Sequence, residues 1–164
     1  MADFTYGITL TASYKGFDFS MFGTGAYGND ILMCLNRGDR LQANTLKKIY
    51  DDRWTPENPN APMAKIDNSE KEKYWMSDDY IYDGSFFKIK QIQLGYTLPQ
   101  TLIKKALLTN VRLYCSLDDF ITFTKYPGFD PETTGSVGSP QSIGLDKGSY
   151  PSSKKVVFGL NITF

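Results

Sequence analysis

The sequence predicts an all-β fold, an antiparallel segment of a transmembrane β-barrel with about five strands and two long extracellular loops. Three observations carry this reading. Runs of roughly eleven residues alternate apolar and polar side chains, the length a tilted strand needs to cross a bilayer. The connections between runs alternate short and long. The 164 residues include 11 Phe, 11 Tyr and 2 Trp, more than a soluble core of this size needs and in keeping with the aromatic girdles of membrane barrels.

The first run is Phe4 to Tyr14, with Phe4, Tyr6, Ile8, Leu10, Ala12 and Tyr14 on one face and Thr5, Gly7, Thr9, Thr11 and Ser13 on the other. Its apolar face begins and ends in aromatics. Lys15-Gly16 makes a tight turn into a second strand, Phe17 to about Tyr27, which sets Phe17, Phe19, Met21 and Tyr27 against Asp18, Ser20 and Thr24. From Gly28 to about Asp79 the pattern becomes polar and irregular, with a helix near Thr45 to Asp52 and a rigid turn run from Trp54 to Pro62. Compact soluble domains seldom carry loops of this length, whereas barrels place them on the outer rim.

A third strand, about Ser85 to Leu98, puts Phe87 and Ile89 on one face and Ile92, Leu94, Tyr96 and Leu98 on the other. Its phase slips near Lys90-Gln91, through a bulge or because the upper strand projects above the membrane. Pro99 ends it, and a connector with a helical turn at Leu102 to Leu108 leads to a fourth strand, about 110–122. There Val111, Leu113, Cys115 and Leu117 alternate with Arg112, Tyr114 and Ser116, a polar face suited to a wet lumen. Residues 123–153 form a second long loop, and the last strand, about 154–164, alternates Val156, Phe158, Leu160, Ile162 and Phe164 with Val157, Gly159, Asn161 and Thr163. The short connections read as periplasmic and the long ones as extracellular. Five strands cannot close a barrel when about eight is the smallest closed size, so the chain reads as a fragment with two bare edges.

Composition narrows the function. Lys plus Arg equals Asp plus Glu at 18 each, which disfavours a nucleic-acid surface, and no histidine is present. The absence of histidine removes the usual general base and the commonest zinc ligand, so the reading is a non-enzyme with no metal and no cofactor. No run of about 18 apolar residues predicts a transmembrane helix, and Met1 to Tyr6 lacks the basic and apolar regions of a signal peptide. Cys34 and Cys115 fall in segments of different character, which argues against a disulfide. The pairs Asp51-Asp52, Asp78-Asp79 and Asp118-Asp119 read as solvated charges, and 118 and 119 point to opposite faces of a strand. The Gly and Ser residues from Gly135 to Ser142 lack the ending of a phosphate loop.

Several ordered pieces resemble the SusC/RagA family of TonB-dependent outer-membrane transporters of Bacteroidetes. They are Tyr14-Lys15-Gly16-Phe17-Asp18-Phe19-Ser20, Tyr27-Gly28-Asn29-Asp30, Arg53-Trp54-Thr55-Pro56-Glu57-Asn58-Pro59 and Asp83-Gly84-Ser85-Phe86-Phe87-Lys88-Ile89-Lys90. Then follow Leu94-Gly95-Tyr96-Thr97-Leu98-Pro99, the stretch from Thr122 to Glu132, Gly148-Ser149-Tyr150-Pro151 and the ending Phe158 to Phe164. Each piece is weak alone; their order and spacing are specific. The resemblance covers nearly the whole chain and implies the C-terminal part of a barrel of roughly 22 strands, without its N-terminal plug. It further implies nutrient import through the outer membrane with a SusD-like lipoprotein lid and the TonB-ExbB-ExbD machinery. One departure is Leu117-Asp118-Asp119-Phe120, where such proteins more often carry a neutral pair.

Within this frame Trp54, Trp75, Tyr126 and Phe129 are candidates to face substrate or lid from the long loops, with Trp54 equally able to do no more than anchor the proline-rich turn. Phe158, Leu160, Ile162 and Phe164 are candidates for the signal read by the barrel-assembly machinery, or for girdle residues in outer-membrane lipid. The competing class is a secreted carbohydrate-binding or adhesive β-sandwich, which would bury Tyr6, Leu10 and Leu160 against a second sheet.

Overall fold

The structure, a computed structural model, describes residues 2–35, 45–65, 77–104, 107–132 and 143–164. Its elements are β1 (Phe4–Tyr14), β2 (Phe17–Tyr27), β3 (Asp30–Met33), α1 (Lys47–Asp52), β4 (Ile81–Asp83), β5 (Phe86–Thr97), α2 (Gln100–Ile103), β6 (Asn110–Thr124), β7 (Leu145–Asp146) and β8 (Lys155–Thr163). They fall into two compact units. One comprises Phe4–Ala26, Phe86–Phe123 and Ser152–Phe164, and the other gathers the long connections.

The first unit is a five-stranded sheet in the order β1-β2-β5-β6-β8, so β1 and β8 are its edges. The β1–β2 turn is set by Lys15 (φ 46°) and Gly16 (φ 86°). Two successive positive φ values define a type I′ turn, whose twist matches that of the flanking strands. Gly16 is needed there for a second reason, since a Cβ would sit 2.9 Å from the Thr97 carbonyl oxygen.

Between β2 and β5 the antiparallel register steps from Phe22 opposite Gln91 to Gly23 opposite Ile89, which leaves Lys90 as the extra residue of a β-bulge. This is the origin of the phase slip in the sequence. It also corrects the facing of the strand: the bulge returns Phe87 and Ile89 to the side that carries Ile92, Leu94 and Tyr96, opposite alternate residues of β2. On β6 and β8 the same side holds the pairs Val111–Ile162, Leu113–Leu160, Cys115–Phe158 and Leu117–Val156. One continuous apolar face results.

Aromatic rows bound that face at both ends. Phe4, Tyr6, Phe87 and Phe123 follow one another at ring separations of 5.9, 5.9 and 6.4 Å. At the other end Phe17 and Tyr96 lie 4.4 Å apart, next to the turn that follows Tyr14. From Phe4 to Tyr14 the strand runs about 34 Å at ~3.4 Å per residue, or about 26 Å across a sheet tilted by ~40°. That is the height of the apolar band of an outer-membrane barrel.

The opposite face is polar and cross-braced. Arg112 on β6 reaches over β5 to Asp18 on β2, with Nε to Oδ1 at 2.9 Å and Nη2 to Oδ2 at 2.5 Å. The strand beneath this bidentate pair carries Gly95, where a Cβ would lie 2.5 Å from both Arg112 Nη2 and Asp18 Oδ1. Farther along, Ser116 donates to Asp118 at 2.7 Å, and Lys90, the bulge residue, pairs with Asp119 at 3.5 Å. Asp119 itself takes φ 55°, a left-handed conformation that a short polar side chain tolerates, so β6 bends beside the bulge of β5. Lys88, on the same face, is fully buried.

Gly95→Ala should displace the Arg112–Asp18 pair and lower stability by about 1 kcal/mol or less, because the flexible tips move aside and the pair is partly exposed. Combined with Asp18→Asn the loss should be smaller than the sum, since both changes break one interaction. Thermal unfolding of the two single variants and the double variant measures this, and full additivity would show that the glycine serves another purpose.

Candidate functional site

The second unit gathers the two long connections, Tyr27–Ser85 and Thr124–Pro151, around a small core. The sequence predicts irregular chain here, and the structure departs from it. Ile31-Leu32-Met33 forms the middle of a three-stranded sheet, with β4 antiparallel on one side and β7 parallel on the other. The strands are too short for a period-two signal to stand out. Ile31 and Met33 point inward, and Met33 packs with Ile49, Met63 and Tyr80.

Helix α1 turns Ile49 into that core while Lys47 pairs with Asp51 and Lys48 with Asp52, four residues apart along the exposed side. The neighbouring carboxylates hold both lysine ammonium groups above their ordinary range. Asp51-Asp52 is therefore a helix-surface pair with its own cations. Arg53 follows, its guanidinium stacked 3.5 Å from the Tyr50 ring centroid and donating to the Tyr50 carbonyl.

The run from Trp54 to Pro62 closes on itself. Trp54 N–H donates to the Met63 carbonyl at 2.8 Å, Met63 N–H donates to Asp52 O at 3.1 Å, and Asn58 N–H closes an inner turn on Thr55 O at 3.0 Å. Trp54 anchors the base of this loop through its backbone while remaining 38% exposed.

Tyr126 requires a correction. Expected to face outward, it is only 5% exposed, because its ring packs edge-on to Tyr82 at 6.3 Å and its hydroxyl donates to Asp146 Oδ2 at 2.6 Å. Burial above all, and then the Asp146 carboxylate, push its phenol well above the ordinary tyrosine range. Asp146 also accepts from Gly148 N–H at 2.8 Å through Oδ1 and from Cys34 N–H at 2.7 Å through its carbonyl. One aspartate thus ties the second connection to the first. Its position in a Gly- and Ser-rich segment offered no periodic signal; only the β7 pairing reveals it.

The other candidates separate cleanly. Phe129 is 60% exposed. Trp75 lies outside the described residues. Phe158, Leu160 and Ile162 stand exposed on edge strand β8, and Phe164 follows it at 88% exposure. Cys34 and Cys115 are both free thiols, and burial raises the pKa of Cys34. Among the described residues there is no group of three or more metal-ligating side chains.

Replacing Tyr126 by Phe should lower the local stability of this unit by about 1–2 kcal/mol, the cost of a buried hydrogen bond to a carboxylate. Because the folded phenol titrates above its unfolded value of about 10, the wild-type advantage should hold at neutral pH and shrink only above about pH 10. Hydrogen exchange at Cys34 and Leu32 across that range checks both size and sign.

No protein-family model matches the sequence. TonB-dependent receptor P3 of Formosa agariphila is 36% identical over 168 residues, covering 99% of this chain. TonB-dependent receptor SusC of Bacteroides thetaiotaomicron is 28% identical over 164 residues, again across 99% of this chain. The chain spans 16% and 15% of these relatives' lengths. Among solved structures, the RagAB peptide importer in its open-open state superimposes with a TM-score of 0.76 at 27% identity, over 98% of this chain and 17% of that one. With its five-stranded antiparallel sheet and aromatic-bounded apolar face, this chain belongs to the SusC/RagA family of TonB-dependent receptors.

Proposed function

We propose that this chain is wall and rim of an outer-membrane active transporter, the C-terminal part of a larger barrel that imports glycans, oligosaccharides or peptides. The observation that carries the proposal is the exposed apolar face closed at both ends by aromatic rows. Leu10, Leu113 and Leu160 lie about half exposed on it, where a β-sandwich would bury them against a second sheet. Lipid is the solvent such a face fits, and the polar face with Asp18, Arg112, Ser116 and Asp118 then lines the lumen. Edges β1 and β8 pair with further strands of the longer protein, since an unpaired edge is untenable in hydrocarbon.

In this reading the long connections are extracellular, and Trp54 and Phe129, both exposed, are the side chains that meet a SusD-like lid or the substrate. The contacts to TonB-ExbB-ExbD belong to other parts of the transporter. Similarity to a peptide importer favours peptides among these cargoes.

Spin labels at Leu10, Leu113 and Leu160 in the full-length protein should be relaxed by lipid-soluble oxygen and spared by a polar nickel reagent. The reverse pattern would remove the membrane assignment.

The terminal row Phe158, Leu160, Ile162 and Phe164 has the form of an assembly signal: an apolar edge strand can add to another sheet by main-chain hydrogen bonds, with the last aromatic seated in a pocket. Phe164→Ala should then lower the amount of folded, heat-modifiable barrel in outer-membrane fractions, whereas Tyr14→Ala, a girdle change at another strand end, should not. Equal assembly of the two variants would leave Phe164 as a girdle residue.

A further inference from the structure

Beside the Phe17–Tyr96 row of the apolar face the side chains dip. Cys115, small and central, is ringed by Phe17, Leu94, Tyr96, Leu113 and Phe158 from four strands, and together they line an open groove of about 300 Å³. From this geometry we infer a binding site for one acyl chain of an anionic phospholipid, resting on the membrane reading given above. The volume holds roughly ten water-sized groups at about 30 Å³ each, enough for a long stretch of a fatty acyl chain.

The chemistry of the groove selects its occupant. It runs from the Phe17–Tyr96 row inward to Cys115, Leu113 and Phe158, and its lining is mostly apolar, with the Tyr96 phenol at the girdle end. A peptide segment or a second copy of the chain inserted there would bring unpaired N–H and C=O groups to hydrocarbon depth, at several kcal/mol each. An acyl chain brings none. At the Tyr96 end the groove opens beside the β1–β2 turn, where Gly16 abuts the Tyr96 ring and the ammonium of Lys15 sits 5.1 Å from the centroid of the Tyr14 ring. A lysine flanked by girdle aromatics snorkels to the headgroup layer, the depth at which a phospholipid carries its phosphate, and Lys15 adjoins Gly16 at this end of the groove.

The test uses the full-length protein reconstituted into vesicles of phosphatidylglycerol and phosphatidylethanolamine, re-extracted in mild detergent and examined by native mass spectrometry for retained phospholipid. Cys115→Trp, which fills the groove from its floor, should lower retention of the most tightly held phospholipid by about tenfold, and Leu94→Trp, which fills it from the wall, should do the same. Leu10→Trp, on the same face but outside the groove, should leave retention unchanged. Lys15→Gln should reduce the preference for phosphatidylglycerol over phosphatidylethanolamine. If both groove-filling variants retain lipid as well as Leu10→Trp does, the site does not exist, although the oxygen-accessible labels of the lipid-facing reading would stand. If those labels report a polar environment instead, that reading and the site fall together.

Discussion

A backbone N–H or C=O left unpaired away from water costs several kcal/mol, and the architecture of the strand-built unit follows from meeting that constraint. Its inner strands satisfy both edges by pairing in the order β1-β2-β5-β6-β8, and the shortfall is confined to β1 and β8. The same constraint explains why irregularities inside the sheet take the form of bulges. At Lys90 one extra residue is accommodated while the ladder resumes on either side, and the bulge keeps Phe87 and Ile89 on the apolar face. Without it, two large apolar side chains would turn to the polar side and Lys88 would turn to the apolar side.

Polar and apolar faces are held by different means. The apolar face needs only complementary bulk, with aromatics at its ends and aliphatic residues between. The polar face is bound by directional contacts, of which the Asp18–Arg112 bridge spans the greatest distance. Strands two places apart are separated by about 9.6 Å, so the bridge requires a long fork-shaped cation and a strand between them with no side chain in the way. Gly95 supplies the clearance. Beside the bulge, Lys90 with Asp119 and Ser116 with Asp118 place paired charges where the strands bend.

The connecting segments obey a different economy. They build a core of their own from Met33, Ile49, Met63 and Tyr80 and seal it with the Tyr126–Asp146 hydrogen bond. Burying a carboxylate acceptor is tolerable because each of its oxygens has a donor, the Tyr126 hydroxyl on one and Gly148 N–H on the other. Two stretches distant in sequence thereby become one folded unit, and Trp54, exposed on it, rests on a hydrogen-bonded turn.

Much of the five-stranded sheet was legible in the sequence because side-chain alternation is a local property of a strand: Phe4 to Tyr14 and Val156 to Phe164 declare their faces residue by residue. Motif order then sufficed to point to the family, and the slip near Lys90-Gln91 marked the bulge without deciding its nature. What the sequence could not decide depends on partners far along the chain. That Gly95 lies under an ion pair joining residues 94 positions apart follows from strand order alone. Tyr126 reads as one more loop aromatic until the pairing of β3 with β7 brings Asp146 to its hydroxyl and buries it. The groove at Cys115 exists because four strands set large side chains around a small one. Local periodicity determines which way a side chain points; only the tertiary structure determines what it meets there, because that depends on register between strands and not on neighbours along the chain.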